Sequence, residues 1–342
     1  MPCPQRERPA VRADRIILPE RERGAALLTV LLLVAVIAVL AATALEKLRL
    51  STRLASNMIA VEQARGYAMA AETLATTRID SLLSANTTVV TLAGGWSGRP
   101  FRLPVPGGLA TATVIDGGNC FNLNGLVVSG GPGVLVARPA AIVQFTRLMA
   151  LVGIPRQSGA TIAAATADWI DSDNTPLPNG AEDESYGGRQ TGYRTANTMI
   201  SDISEMRAVA EVTPQIYAKI RPWICAQPRA QPSRINVNTL LPEQAPLFAM
   251  LLPDTLTVDQ ARALLLERPA IGYTSTEAFW KLPALRGVIV FPDAQAQTAV
   301  TTRWFALRID VELGGSELTE SALIDATVQP ARLVSRAWGD PA

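Results

Sequence analysis

Histidine is absent from all 342 residues. Its absence excludes Ser-His-Asp and Cys-His catalysis, histidine metal sites and histidine pH switches. Lysine is nearly absent: Lys47, Lys219 and Lys281 stand outside any recognisable constellation. There is no Walker loop, no G-x-S-x-G elbow and no C-x-x-C pair. Charge of one sign is also missing, since 31 basic residues face 30 acidic ones, and a net +1 makes no whole-chain case for nucleic acid. An enzyme could still use carboxylates or one of these lysines.

What the chain does have is an uncharged apolar run from Ala25 to Leu45, preceded by Arg21, Arg23 and Gly24. At about 1.5 Å per helical residue it covers roughly the 30 Å of a bilayer's hydrocarbon core. Three readings fit. A cleavable secretory signal could be cut after Ala42-Thr43-Ala44, although the run exceeds the usual apolar region of about 7–15 residues. A plain anchor is not oriented cleanly by charge, because Lys47, Arg49 and Arg53 follow it. A prepilin-type segment would have a basic leader ending in Gly24 and an apolar helix retained from Ala25.

Residues 46–84 favour retention. Leu54, Met58, Val61, Ala68, Ala75, Ile79 and Leu82 recur at multiples of three or four, and no proline occurs between Pro19 and Pro100. The period then changes. Thr87–Thr91 and Ala112–Asp116 read as strands, residues 139–224 as helices, and 303–313, 317–328 and 331–338 as closing strands. The implied architecture is α+β: a long helix packed on an antiparallel sheet, with the helical middle inserted between two sets of strands. The expected divisions are a leader (1–24), a transmembrane and pilin-type helix (25–85, membrane part 25–45) and a first sheet portion (86–138). An inserted helical domain (139–300) and a second sheet portion (301–342) complete them.

Within the insert, the loop after residue 168 gathers oxygen donors: Asp171, Asp173, Asn179, Glu182, Asp183 and Glu184. Calcium takes about six to eight such ligands, but a solvated acidic loop has the same composition. The pattern is not an EF-hand. Residues 235–286 look like a helix-hairpin-helix or SAM-like unit. Its turn, Leu251 to Leu256, lacks glycine and carries Pro253 and Asp254, and residues 236–300 hold six acids against four bases, so phosphate binding is disfavoured. Of the three cysteines, Cys120 and Cys225 remain if the leader is lost; they make one disulfide in an oxidising compartment or two separate buried thiols.

Several segments together resemble one family: Arg23–Leu33, Cys120–Asn124, Asp168–Asp173, Gly180–Asp183, Tyr193–Asn197 and Ile235–Thr239 are similar to the K-type minor pseudopilins of the type II secretion system. The resemblance implies cleavage between Gly24 and Ala25 by a prepilin peptidase and N-methylation of Ala25. It implies a pseudopilin fold with the large helical insert (calcium loop 168–205, SAM-like unit 235–286). It implies a structural Ca2+ whose ligands come from Asp171, Asp173, Glu182 and Asp183, with Glu184 and Asn197 as further candidates. It also implies a Cys120–Cys225 disulfide in the periplasm. The implied partners are the I- and J-type minor pseudopilins at a pseudopilus tip, other pseudopilins and inner-membrane secretion components. The chain would be a single-pass inner-membrane protein with its body in the periplasm, neither an enzyme nor a nucleic-acid binder. A DNA-uptake protein using the helix-hairpin-helix-like unit is the alternative, and a secreted carboxylate hydrolase cut at Ala44 a third.

Thr29 is the fifth residue from Ala25. Most pilin-like subunits carry Glu there, and a carboxylate inside a bilayer costs on the order of 2.5–3.5 kcal/mol. Threonine avoids that cost and forgoes an ion pair with a neighbouring subunit. A subunit added first needs no such pair, whereas a merely tolerated threonine would bond back to its own helix.

Overall fold

A computed structural model describes residues 20–188 and 192–339, without the side chains of 20–23. Residues 1–19 of the expected leader, Cys3 included, lie outside the described residues. Contacts divide the chain into a unit ending at Ala60 and a unit beginning at Val61.

The first unit holds the apolar part of α1 (Glu20–Ala85). Its most apolar window has a mean hydropathy of 3.0 and is wholly exposed. The Thr29 hydroxyl donates to the Ala26 carbonyl at 2.9 Å, which satisfies it without any outside partner.

In the second unit, Ala64, Ala68, Ala71, Ala75, Ile79 and Leu83 of α1 form a buried stripe. The stripe packs on Ala110, Ala112, Leu307, Ile309 and Val311 of the sheet. Alanine on both surfaces lets helix and sheet approach closely. The stripe differs from the sequence expectation at its ends. Leu54 and Met58 are exposed, and Leu83 rather than Leu82 is buried.

After α1 come β1 (Phe101–Val105) and β2 (Gly108–Asp116), and the chain then leaves the sheet. β3 (Phe121–Asn122), β4 (Val127–Gly131) and β5 (Val134–Ala137) lead to α2 (Pro139–Leu151) and α3 (Arg156–Ile170). α4 (Asp183–Gly187), α5 (Pro214–Ile220), β6 (Ile224–Cys225) and β7 (Ile235–Asn236) follow. Next are α6 (Ala245–Ala249), α7 (Val258–Leu266), α8 (Thr276–Trp280), α9 (Pro292–Gln297) and β8 (Thr298–Ala299). The chain re-enters the sheet with β9 (Trp304–Leu313), β10 (Ser316–Asp325) and β11 (Arg332–Trp338).

The sheet order is β1-β2-β9-β10-β11, antiparallel throughout, so β2 pairs directly with β9 across everything between them. Two expectations are corrected. Of residues 86–138, β1 and β2 join this sheet, with Ser97 bridging to Val114 beside them; β3 pairs with β6 and β4 pairs with β5. Phe121, Leu123, Leu126 and Val127 belong to the core of the helical region instead. Thr87–Thr91 is not a strand, because Asn86 Oδ1 accepts from the amides of Thr88 and Val89 and curls the chain into a turn.

The junction is a buried polar joint. Asp116, at the end of β2, accepts the hydroxyls of Thr239 and Thr302 and the Gly118 amide. Asn236 donates to the Val90 carbonyl and the Thr302 hydroxyl, while its own amide is held by Asn119 Oδ1. Nearby, Asn124 binds the backbone of Ile200 through both ends of its amide and also reaches the Gln227 carbonyl. Asn122, Asn124, Asn236 and Asn238 are almost fully buried, acting as substitutes for backbone partners where irregular segments meet.

Arg336 of β11 reaches Glu72 of α1 at 2.6 Å and Glu320 of β10 at 3.2 Å. Burial, then the hydrogen bond and charge of Glu72, raise the Glu320 pKa, against the pull of Arg336. Folded Glu320 therefore keeps its proton to a higher pH than the unfolded chain does. Its contribution to stability is complete at low pH and is lost as pH rises through the raised value. Arg336→Met should cost about 2 kcal/mol after discounting the part-exposed guanidinium. The loss should be larger near about pH 8 than about pH 5, read as the melting-temperature difference from the parent at each pH. Equal losses at both would exclude this role for Arg336.

Candidate metal centre

α3 delivers the acidic loop. Asp168 sits in its last turn, fully buried, and Asp171 ends it. Asp168 accepts the Ala181 amide at 2.7 Å and the Leu177 amide at 3.2 Å, folding the loop back onto the helix. Gly180 is required for that return. A Cβ there would lie 1.9 Å from Asp168 Oδ2.

The fold brings Asp171, Asp173 and Glu182 together, each offering a carboxylate oxygen within 4.8 Å of the others. Asp171 and Glu182 are buried and Asp173 is exposed. Burial raises the Asp171 pKa to about 7, reinforced by the charges of Asp173, Asp168 and Glu182. Burial likewise raises Glu182 to about 7; the Thr195 hydroxyl opposes the shift, and the charges of Asp168, Asp173 and Asp183 add to it. The cluster thus resists full ionisation by itself, and a bound cation reverses that balance.

In this region, among the described residues, three buried oxygens lack a hydrogen-bond partner: Asp171 Oδ1, Glu182 Oε1 and Asn197 Oδ1. Asn197 is brought in by its amide, which donates to the Trp169 carbonyl, and adopts a left-handed φ of 47°. A buried oxygen left without a partner is costly unless something positive meets it. The donor set is all hard oxygen, which fits calcium and not zinc or copper.

The remaining candidates sit differently. Asp183 Oδ1 accepts the amide and hydroxyl of Thr195, and Arg194 lies 3.7 Å from its other oxygen. Glu184 is exposed on α4. Neither joins the three-carboxylate cluster. Asp168, Gly180 and Thr195 also build the site, beyond the residues that the sequence singles out. The helical spacing of Asp168 and Asp171 was the available signal for the first. The other two depend on how the loop returns.

Gly180→Ala should destabilise by about 1–3 kcal/mol through overpacking against Asp168, and should abolish any calcium-dependent rise in melting temperature. A normal response to calcium would show that the return of the loop does not build the site.

The structure joins Cys120 to Cys225, with Cα atoms 5.8 Å apart. The bond lies beside the β3–β6 pair and links the segment after β2 to the segment after α5.

Residues 119–229 and 235–303 match two family models, each described as type II secretion system (T2SS), protein K. Type II secretion system protein K of Klebsiella pneumoniae is 36% identical over 322 residues, covering 93% of this chain and 97% of that protein. Its counterpart in Pectobacterium carotovorum subsp. carotovorum is 34% identical over 325 residues, with the same coverage of 93% and 97%. Among solved structures, the GspK-GspI-GspJ complex of the type 2 secretion system of enterotoxigenic Escherichia coli contains a similar chain. The two are 31% identical with a TM-score of 0.71, covering 82% of this chain and 96% of that one.

Proposed function

The chain belongs to the type II secretion system protein K family, and from that premise we propose that this minor pseudopilin caps and helps to initiate a periplasmic pseudopilus. The role is structural and non-enzymatic. The apolar part of α1 anchors the subunit in the inner membrane with the body in the periplasm, after cleavage between Gly24 and Ala25 and methylation of Ala25. Its partners are I- and J-type minor pseudopilins, by likeness to the complex in which its structural relative was solved. Thr29, without a carboxylate, suits a subunit that enters assembly first.

The observation that carries the reading is the direct pairing of β2 with β9 around a very large insertion. A pilin-type helix and sheet are complete without the residues between them, and the bulk that remains would obstruct another subunit above. The joint also suggests the test. The Gly117 amide donates to the Trp304 carbonyl at 2.9 Å, so a short turn can replace residues 118–302 and reconnect the sheet. The shortened chain should fold and insert, yet lose pseudopilus initiation and secretion. Normal assembly and secretion would refute the capping role.

We also read the acidic loop as a structural calcium site held by Asp171, Asp173 and Glu182, with Asn197 as a neutral donor. Three orphaned buried oxygens support it. The ion would supply charge neutralisation and loop order. The α6–α8 region is read as the SAM-like unit turned to structural use, since the Ile235–Thr239 segment before it forms the polar joint. Family membership leaves the DNA-uptake alternative without support. Asp254 fits that outcome: it occupies the turn with a φ of 58° and a wholly exposed carboxylate.

A further inference from the structure

One face of α1 is not fully covered by the sheet. Beside β1 an apolar groove of about 520 Å³ runs along the helix between Ala71 and Leu82. Ala71, Ala75 and Ala112 keep its floor low. Leu74 forms one shoulder and Phe101 the other, 37% and 38% exposed. The far wall is fixed, because Trp96 donates its indole N–H to the Thr91 carbonyl at 2.7 Å and packs edge-on against Phe305.

Three guanidiniums line this apolar surface: Arg78, Arg99 and Arg102. All three are exposed, and among the described residues none has a carboxylate within salt-bridge distance. Arg78 lies over the Phe101 ring at 4.6 Å, which holds its charge at the rim. The groove therefore presents an apolar floor with a cationic rim that no carboxylate among the described residues neutralises. Its complement is an apolar surface edged with carboxylates.

The shape selects the form of that complement. A strand would add to the free edge of β1, but Pro104 lies within β1 and Pro100 and Pro106 bracket it, removing amides the addition would need. From Ala71 to Leu82 the helix rises about 17 Å, or about three turns. A row of small side chains along such a length suits a helix laid against a helix. A lipid is disfavoured by place in the sequence: Lys47, Arg49, Arg53, Glu62 and Arg65 separate the groove from the apolar run.

We propose that this groove receives an acidic amphipathic helix of a neighbouring pilin-like subunit, with Arg78, Arg99 and Arg102 reading its carboxylates. The proposal rests on the assembly reading above and names a surface for it. A photo-crosslinking residue placed at Leu74 of the full-length chain, in membranes of cells carrying the whole secretion system, tests it; Val143 on α2, also exposed, is the control position.

The expected product is an adduct at position 74 whose peptide comes from a helix of another pilin-like subunit with acids along one face. Arg78→Glu with Arg102→Glu should lower its yield by about tenfold or more. Arg78→Lys with Arg102→Lys, equally able to fold, should retain most of it. Reversing the partner's acids to lysine should restore the yield to the Glu variant. An adduct with lipid or a non-pilin protein, no adduct, or a yield indifferent to these charges would overturn the proposal. Co-purification of the same membranes separates the two failures. If other pilin-like subunits accompany the chain without a position-74 adduct, the groove is wrong and the assembly reading stands. If none accompany it, both fall.

Discussion

Calcium should raise the melting temperature of the full-length chain in detergent by about 5–10 °C, and Asp171→Asn should abolish the rise. A ligand that binds only the folded state stabilises it by about 2.7 kcal/mol at a hundredfold excess over its dissociation constant, and about 4.1 at a thousandfold. For a body of this size each kcal/mol moves the midpoint by about 2–4 °C. Asp171→Asn carries a second signature. Without calcium, Asp171 is a buried acid whose charge is opposed by burial and by three neighbouring carboxylates. Asparagine keeps the shape and removes that conflict, so the ion-free variant should melt at the parent's temperature or above it. A mere surface acid would show neither effect. Identical melting curves in chelator and in excess calcium would eliminate the site. Magnesium should substitute poorly, because it demands a tighter octahedron and gives up its water reluctantly.

The second large effect concerns Cys120 and Cys225. The bond spans 105 residues of sequence, and the loop-entropy account assigns about 4–5 kcal/mol to a closure of that length. Replacing both cysteines with serine should therefore lower the melting temperature by about 10 °C or more, as should reductant on the parent. The surrounding hydrogen bonds limit the damage: Asn122 still binds the amide of Gln227 and the carbonyls of Arg229 and Gln231. The variant should thus fold but melt early, and the anchor should insert normally. Periplasmic protein in which both thiols react freely with an alkylating agent would show that the bond is not made in the cell.

The membrane-length run, the helix after it and the closing strands follow from periodicities that act over a few residues, and those were legible. Thr87–Thr91 misled because β-branched residues favour a strand only where a partner strand exists. Here Asn86 captures the local amides first. Residues 119–138 carried no signal that they would abandon the sheet. That outcome depends on Phe121, Leu123 and Leu126 finding the core built by α2 and α3. The acid cluster was visible as composition, but composition does not show which oxygens converge. Asp183 and Glu184 are neighbours of Glu182 in sequence and still fall outside the close group, one held by Thr195 and the other turned to solvent.

By itself, then, the sequence determined the long helix with its membrane-length apolar run and the closing strands, because alternation and helical spacing are properties of the chain alone, and short segments such as Cys120–Asn124 and Ile235–Thr239 carried the resemblance to the family. Tertiary structure decided the rest. It brought the carboxylates of Asp171, Asp173 and Glu182 together and left Asp183 and Glu184 outside, because the return of the loop past Gly180 fixes which side chains meet. It made Asp116 and Asn236 a joint, because a polar group leaving water must be met by donors from distant segments. And it left Arg78, Arg99 and Arg102 around an apolar groove, an arrangement of residues from a helix and a strand edge that no local spacing encodes.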